Sequence, residues 1–319
     1  MKKLLIILIL LIGSEVSYSQ VCCGGGVYDL AVLSLNKRAL FSMGYKYDNF
    51  MGVWDSDNQW RKISQSYYQM TPSLSAAYRF NKHLQAGLLV PYIFNANDLP
   101  GLPSNGNGIG DIVLSGRYEI FHEYALYKEK GKIKTDHVTP YFAITFGMTL
   151  PSGKSDENAN SEVDITGKGF YTTSLGLSFI KTIMKDKIQL GTDLSWQHSF
   201  PKTFTKYYNQ DIQPYDRKQG DRFNAAISAN YFINFYNSVS LSVAGFVQNS
   251  YSINDAKVDN TNESTVNFTA SYTYYPKTYL RITPLFKWNI PSNGFGTNTA
   301  GSLLFGINLV YYIENLDDF

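Results

Sequence analysis

The chain has 319 residues, of which 17% are charged and 15% are aromatic, and its formal net charge is +2. Past the N-terminus no apolar run reaches the ~20 residues of a membrane-spanning helix, which excludes a polytopic helical membrane protein. The aromatic content argues against disorder, and the balance of 28 basic and 26 acidic residues gives no reason to expect a nucleic-acid partner.

The N-terminus predicts a secretory signal peptide over residues 1–19. A basic start precedes an unbroken apolar run at residues 4–12, and Ser17 and Ser19 are the small residues before a cleavage point ahead of residue 20. We therefore expect an exported protein that is either soluble or inserted in the outer membrane of a Gram-negative bacterium.

The only two cysteines, Cys22 and Cys23, are adjacent and follow the predicted cleavage point. Val21 stands where a lipoprotein signal has a small residue, which disfavours lipid attachment to Cys22. A vicinal disulfide, a capped thiol pair, an intermolecular bridge and a flexible lead-in without chemistry are the open alternatives. The sequence predicts no metal site and no cofactor.

Residues 37–313 predict an antiparallel up-and-down transmembrane β-barrel. About twelve segments of roughly 10 to 14 residues alternate between apolar and small or polar side chains, which is the period of a strand. In residues 223–235, one face is formed by Phe223, Ala225, Ile227, Ala229, Tyr231, Ile233 and Phe235. The alternative is a soluble β-sandwich, but its strands usually have about 5 to 6 residues.

The connections between these segments alternate in length. Tight turns are predicted at residues 81–83, 184–187, 236–237 and 276–278. Long polar loops are predicted at residues 52–62, 97–108, 152–168, 201–221, 254–263 and 291–300. Outer-membrane barrels have short periplasmic turns and long extracellular loops, and we expect that arrangement here. Residues 122–137 depart from it, since this long segment falls on the short-turn side and contains lysines at 128, 130, 132 and 134.

The alternation also predicts which ionisable side chains face the barrel lumen. They are Lys46, Asp48, Arg79, Arg117, Glu119, Asp193, Arg281 and Lys287. On the lipid face a basic side chain costs roughly 2–4 kcal/mol at the midplane. Two interpretations are open: a polar constriction that selects solutes, or an internal ion-pair network that fills the barrel.

A twelve-stranded barrel lies between eight-stranded barrels filled by side chains and sixteen-stranded open channels, so we expect a narrow or plugged pore. Residues 20–36, which contain glycines at 24–26 and an apolar stretch at 30–35, are expected to lie in the periplasm or to enter the lumen as a plug. Residues 314–319 are expected to form a C-terminal tail.

Residues 305–311 of the last strand resemble the terminal signal that barrel-assembly machinery recognises. Further residues follow this strand, and Phe319 is the alternative candidate for the recognised aromatic residue. Catalysis is not expected. The four histidines lie at predicted turns or strand ends and are His83, His122, His137 and His198. His198 faces the lipid side, as the histidine of an outer-membrane phospholipase does, but the position two residues along is Phe200 rather than serine. Residues 106–110 are rich in glycine, but no helix follows them to bind phosphate.

Short motifs at residues 108–111, 150–153 and 167–169, with a Cys-Cys-Gly stretch at 22–24, resemble the MetA-pathway of phenol degradation family. The motif residues are Gly108, Gly110, Asp111, Pro151, Gly153, Gly167 and Gly169. The resemblance implies a barrel that passes small organic, often aromatic, compounds across the outer membrane. Independently, Gly110 and Gly153 are expected to adopt a positive φ where strands meet loops, and Asp111 to accept backbone amide bonds.

Two functions follow as hypotheses. The first is a channel for passive uptake of small organic compounds, with lipid and a small solute as partners. The second is a non-conducting accessory barrel that docks a periplasmic or outer-membrane protein, for which the lysines of residues 122–137 are the sequence support.

Overall fold

The computed structural model describes residue 33 and residues 37–64, 66–98, 105–122, 126–129, 132–135, 138–184 and 187–314. The predicted signal peptide, Cys22 and Cys23, His137 and Phe319 lie outside the described residues, as do the side chains of the lysines at 128, 130, 132 and 134. Leu33 is the one described residue of the predicted plug segment.

Twelve long strands form one closed antiparallel barrel, which confirms the predicted architecture. The strands are β1 (Lys37–Trp54), β2 (Tyr67–Arg79), β3 (Leu84–Asn97), β4 (Ile112–Phe121), β5 (Tyr141–Leu150), β6 (Thr172–Ile183), β7 (Ile188–Ser199), β8 (Arg222–Asn234), β9 (Asn237–Gln248), β10 (Glu263–Lys277), β11 (Leu280–Asn289) and β12 (Thr299–Glu314). Each pairs with the next strand in the chain. β12 pairs back onto β1, so the barrel leaves no free edge.

The alternation of residue types decides which face of each strand meets lipid. On β8, Phe223 is 56% exposed on the outside of the barrel, whereas its neighbour Asn224 is 4% exposed on the inside. The same holds on β9 for Leu241 and its inward-facing neighbours Ser240 and Ser242. Successive side chains of a strand point to opposite faces, so apolar residues at every second position cover the outer surface.

The two ends of the barrel differ as the connection lengths predict. β2–β3, β6–β7, β8–β9 and β10–β11 are joined by short turns, and we take this end as periplasmic. At the extracellular end, the predicted long loop between β7 and β8 contains a hairpin, Lys202–Tyr207 with Gln210–Lys218. Tyr208 and Asn209 have φ of 48° and 59° at its turn, a conformation that brings adjacent strands together.

The long connection between β4 and β5 contains a second hairpin at the periplasmic end. Leu126–Glu129 pairs antiparallel with Lys132–Thr135, apart from the barrel sheet. Helical structure is sparse in the described part of the chain: a single 3-10 turn, Glu162–Asp164, lies in the loop between β5 and β6. Among those residues, no helix is long and apolar enough to cross a membrane.

Candidate functional site: the barrel interior

Neutral polar side chains predominate on the inner faces of β8 to β10 and continue onto β11 at Thr283. Buried hydroxyl and amide residues on this surface, which we call the hydroxyl wall, are Ser228, Ser238, Ser240, Ser242, Thr265, Asn267, Thr269, Ser271, Thr273 and Thr283. Several pair across strands, as Ser240 does with Ser271. Small hydroxyl and amide groups both donate and accept hydrogen bonds, so this surface suits water and uncharged polar groups.

The opposite side of the lumen contains a network of charged residues. Near the periplasmic end, Arg79 on β2 and Glu119 on β4 form a bidentate ion pair, with N–O distances of 2.6 and 3.0 Å. The side chains are 3% and 1% exposed. Gln85 on the intervening β3 donates to the same carboxylate, and Tyr141 on β5 donates to it at 3.1 Å. We call these residues, with Arg117, the periplasmic cluster.

Arg117 on β4 extends the periplasmic cluster toward β5 and β7. Its Nη1 donates to the Tyr141 hydroxyl at 3.1 Å, and its guanidinium lies 5.8 Å from the centre of that ring. Asp193 on β7 interacts electrostatically with Arg117 and lies opposite Ser178 in the strand ladder. On the other side of the lumen, Arg281 on β11 lies 5.8 Å from the ring centre of Tyr312. The structure therefore brings four of the eight predicted lumen charges into one network and leaves Arg281 apart from it.

The remaining three predicted charges, Lys46, Asp48 and Lys287, lie nearer the extracellular end. Asp48 is 2% exposed and accepts a hydrogen bond from the Ser302 hydroxyl at 2.8 Å. Lys287, also 2% exposed, is separated from Asp48 in the ladder by one strand, since both residues face Leu304 on β12. The roles of all eight residues in selecting solutes stay predictions.

Leu33 lies inside the barrel beside the periplasmic cluster. Its side chain is 1% exposed and packs with inward-facing Leu40, Ala77 and Val310. Its amide N–H donates to Gln85 Oε1 at 3.1 Å, and its carbonyl accepts from Arg79. The cluster thus satisfies both backbone groups of a residue from outside the sheet.

The loop between β5 and β6 folds into the extracellular mouth of the barrel. Val163 and Ile165 are buried, and both of their carbonyls accept hydrogen bonds from the Asn95 side chain on β3, at 2.9 and 2.8 Å. Gln69 on β2 in turn donates to Asn95 at 2.7 Å. The sequence analysis did not identify Gln69 and Asn95 as inward-facing. The available signal was that each alternates with outward-facing aromatic residues on its strand.

The motif residues meet at the base of this loop. Asp111 accepts backbone N–H bonds from Gly153 at 3.0 Å and Lys168 at 2.7 Å, which confirms the expected capping. The expected positive φ at Gly110 and Gly153 is wrong, because only Gly169 of the motif has one, at 78°. Gly153 is instead required by packing: a Cβ there would lie 2.7 Å from Gly167 Cα.

Other motif positions are also tightly packed or part of this base. A Cβ on Gly110 would lie 2.9 Å from the Ile93 side chain, and one on Gly167 would meet the Asp111 carboxylate at 2.2 Å. Gly108 has more room, since its Cβ would lie 3.3 Å from Thr166 Oγ1. Pro151 is the first residue after β5. The hydroxyl of the next residue, Ser152, donates to the Gly110 carbonyl at 2.8 Å.

The same loop is clamped from outside by the hairpin between β7 and β8. Glu157 pairs with Lys202 at 2.8 Å, and Asp156 pairs with Arg217 at 2.8 Å. Partial burial alone would raise the pKa of Glu157, but the hydrogen bonds and charge of Lys202, with bonds from Thr205, lower that pKa below its usual value. The Arg217 guanidinium lies over the rings of buried Phe170 and Phe204 and of half-buried Tyr251.

His198 lies on the outer rim among aromatic residues. Its Nδ1 is 2.8 Å from Asp221, and its ring contacts Trp196 and Phe200 at centroid distances of 5.6 and 5.5 Å. Within the described residues, no group of three or more His, Cys, Asp or Glu side chains could hold a metal ion.

Charged residues near the mouth were missed by the sequence reasoning. Arg222 is the first residue of β8, 4% exposed, and its guanidinium lies 3.4 Å from the centre of the Phe246 ring. Its parity matches that of Asn224, which indicates the inner face of the barrel. The predicted loop ended at residue 221 and the predicted strand began at residue 223, so Arg222 was assigned to neither. Glu263 begins β10 and interacts with the charges of Arg222, Arg217 and Lys168.

Comparison with known proteins gave one family and a shared fold. The model of the family described as "Putative MetA-pathway of phenol degradation" matches residues 75–305. The COG4313 outer membrane channel from Pseudomonas putida F1 is similar in structure, with 11% identity, a TM-score of 0.69, and coverage of 91% of this chain and 100% of that one. The translocator domain of autotransporter NalP from Neisseria meningitidis has 7% identity and a TM-score of 0.49, covering 89% of this chain and 90% of that one. No curated protein sequence matches.

Proposed function

Since the chain belongs to the MetA-pathway of phenol degradation family and forms an outer-membrane β-barrel, we propose that it is a channel for passive uptake of small organic compounds. The observation that supports this best is the hydroxyl wall, because a barrel that only had to be stable could fill its interior with apolar side chains. A surface of small hydroxyl and amide groups instead provides hydrogen bonds along the barrel interior.

The network on the other side of the lumen supports a narrow path rather than an open one. The periplasmic cluster occupies space near one end, and the loop between β5 and β6 narrows the mouth at the other end. Such a path favours small solutes and disfavours large hydrated ones.

We further propose that residues 20–36 enter the lumen and restrict this path. The contacts of Leu33 support this, since both of its backbone groups and its side chain have partners inside the barrel.

The experiment is single-channel recording in a planar bilayer, with the full mature protein and with a variant that lacks residues 20–36. The proposal predicts discrete openings for both proteins and a larger conductance for the shortened one. Equal conductance would contradict the plug. Silence from both proteins, with heat-modifiable folded barrels on a gel, would contradict the channel.

An accessory barrel that docks a partner is the second candidate function. It is favoured by the β4–β5 hairpin, which belongs to the periplasmic-side connections and forms a two-stranded sheet apart from the barrel sheet. Silence in the bilayer together with capture of a periplasmic protein that is lost on removal of residues 123–137 would support it.

A further inference from the structure

We propose that the inner faces of β1, β11 and β12 form a binding subsite for the carboxylate group of an organic acid, with Lys287 as its anchor. This inference deepens the proposed channel function and rests on it, because the ligand must reach the lumen. The subsite, which we call the lysine patch, consists of Lys46, Asp48, Leu285, Lys287 and Leu304.

The strand register places these residues in two neighbouring rows. Lys287 faces Leu304, which in turn faces Asp48. Leu285 and Lys46 both face Gly306 in the adjacent row. Since neighbouring strands lie about 4.8 Å apart, the backbones of the two lysines lie ~10 Å apart across the sheet, offset by one inward-facing position. Their side chains can therefore approach one ligand from two directions.

Lys287 is buried without a partner for its ammonium group. It is 2% exposed, yet within the described part of the chain it makes neither a hydrogen bond nor an ion pair. Lys46 likewise has no such partner among those residues. Asp48 is the nearest candidate, but its carboxylate accepts from Ser302 at 2.8 Å and lies beyond ion-pair distance of Lys287. A desolvated cation is costly unless an anion compensates it, so an unpartnered ammonium facing a lumen indicates a place for an anion.

The charge around Lys287 also favours an anion. The ionisable groups that act on Lys287 are Asp48, Lys46 and Arg222, so three cations, counting Lys287, surround one carboxylate. Arg222 is already engaged with the Asn224 side chain at 3.1 Å and with an aromatic ring. Further out, the Glu263 carboxylate lies among the charges of Lys168, Arg222 and Arg217. The local excess of positive charge remains on the two free lysines.

The floor beneath the lysines favours an organic anion over an inorganic one. Leu304 lies between Lys287 and Asp48 and is fully buried, and Leu285 is 7% exposed in the next row. Apolar surface next to a cation fits a ligand with a carboxylate at one end and a hydrocarbon body at the other, because the body loses water on contact while the charge is paired.

Equilibrium binding to the detergent-solubilised full-length protein tests this without requiring conduction. The probes are benzoate and octanoate, with neutral benzamide as the uncharged match of benzoate, measured by calorimetry. We expect both acids to bind and benzamide to bind much more weakly. Lys287→Gln should weaken benzoate binding about tenfold, the size of one charged hydrogen bond, whereas Lys287→Arg should restore most of it.

Two further variants separate the subsite from general effects. Lys206→Gln removes the same charge from the exposed external hairpin and should leave benzoate binding unchanged. Asp48→Asn removes the carboxylate that acts on Lys287 among the described residues and should tighten binding, whereas a purely structural Asp48–Lys287 pair predicts no gain. Folding of every variant is checked by heat modifiability.

Equal binding of benzoate by the native protein and Lys287→Gln would overturn the proposal, as would equal binding of benzamide and benzoate. Binding that depends on Lys287, in a protein that stays silent in bilayers, would support the subsite and contradict the channel. Conduction without any benzoate binding would support the channel and contradict the subsite.

Discussion

Replacing Glu119 by glutamine should destabilise the barrel strongly, because this carboxylate is the only anion bound to Arg79 in the described part of the chain. The pair is bidentate, and the two side chains are 3% and 1% exposed. Once the charge is removed, the Arg79 guanidinium has only neutral acceptors among the described residues, which include the carbonyls of Lys82 and Leu33. Removal of one partner of a buried ion pair costs about 3–5 kcal/mol, and we expect Glu119→Gln to reduce the free energy of unfolding by that amount.

A matched control is available at the same end of the barrel. Glu314 pairs with Lys37 at 2.8 Å, but its side chain is 48% exposed. Surface pairs contribute about 0–1 kcal/mol, so Glu314→Gln should change the free energy of unfolding by no more than that.

The assay is equilibrium urea unfolding of the protein in lipid vesicles, followed by tryptophan fluorescence. The double variant Arg79→Gln with Glu119→Gln should be less destabilised than the sum of its two single variants by about 1–3 kcal/mol, since no unpaired charge remains. A loss below 1 kcal/mol for Glu119→Gln, or strict additivity, would refute the reasoning that the pair is desolvated and coupled.

Other predictions concern the loop between β5 and β6. Gly153→Ala should cost about 1–3 kcal/mol of unfolding free energy, because its Cβ would meet backbone atoms that cannot move aside, whereas Gly108→Ala should cost less; equal losses would argue against the packing. Since the folded pKa of Glu157 is lowered, the carboxylate stabilises the clamp above its usual pKa of 4.5 and this contribution is lost as pH falls through the lowered value. Hydrogen exchange of residues 151–171, corrected for the intrinsic rate, should therefore rise at acid pH, and Glu157→Gln should flatten that rise; a variant with an unchanged profile would contradict the assignment.

The barrel could be predicted from the sequence because its determinant is local. On β8 and β9 every second residue is apolar, and this period alone assigns each side chain to lipid or lumen. The same parity located Lys287 and Glu119 on the inner face without any knowledge of their partners.

The contacts inside the barrel could not be predicted in the same way. Arg79 and Glu119 are 40 positions apart, on strands separated by β3, and their meeting depends on the stagger of the whole sheet. The contacts of Leu33 with the periplasmic cluster involve a residue outside the sheet. The strand period gives no information about the position of such a residue. At Gly153 the residue type was noticed but its reason was wrong, because close approach of two backbones leaves no trace in one sequence.

The most direct test of the central claim is whether solute passes through the lumen along the hydroxyl wall. Ser240 and Leu241 are neighbours on β9 that face the lumen and the lipid, respectively. In a liposome-swelling assay with small neutral organic solutes, Ser240→Trp should reduce the swelling rate strongly because the indole obstructs the path, whereas Leu241→Trp should leave the rate near that of the native protein. Equal rates for the two folded variants would contradict passage through the barrel interior.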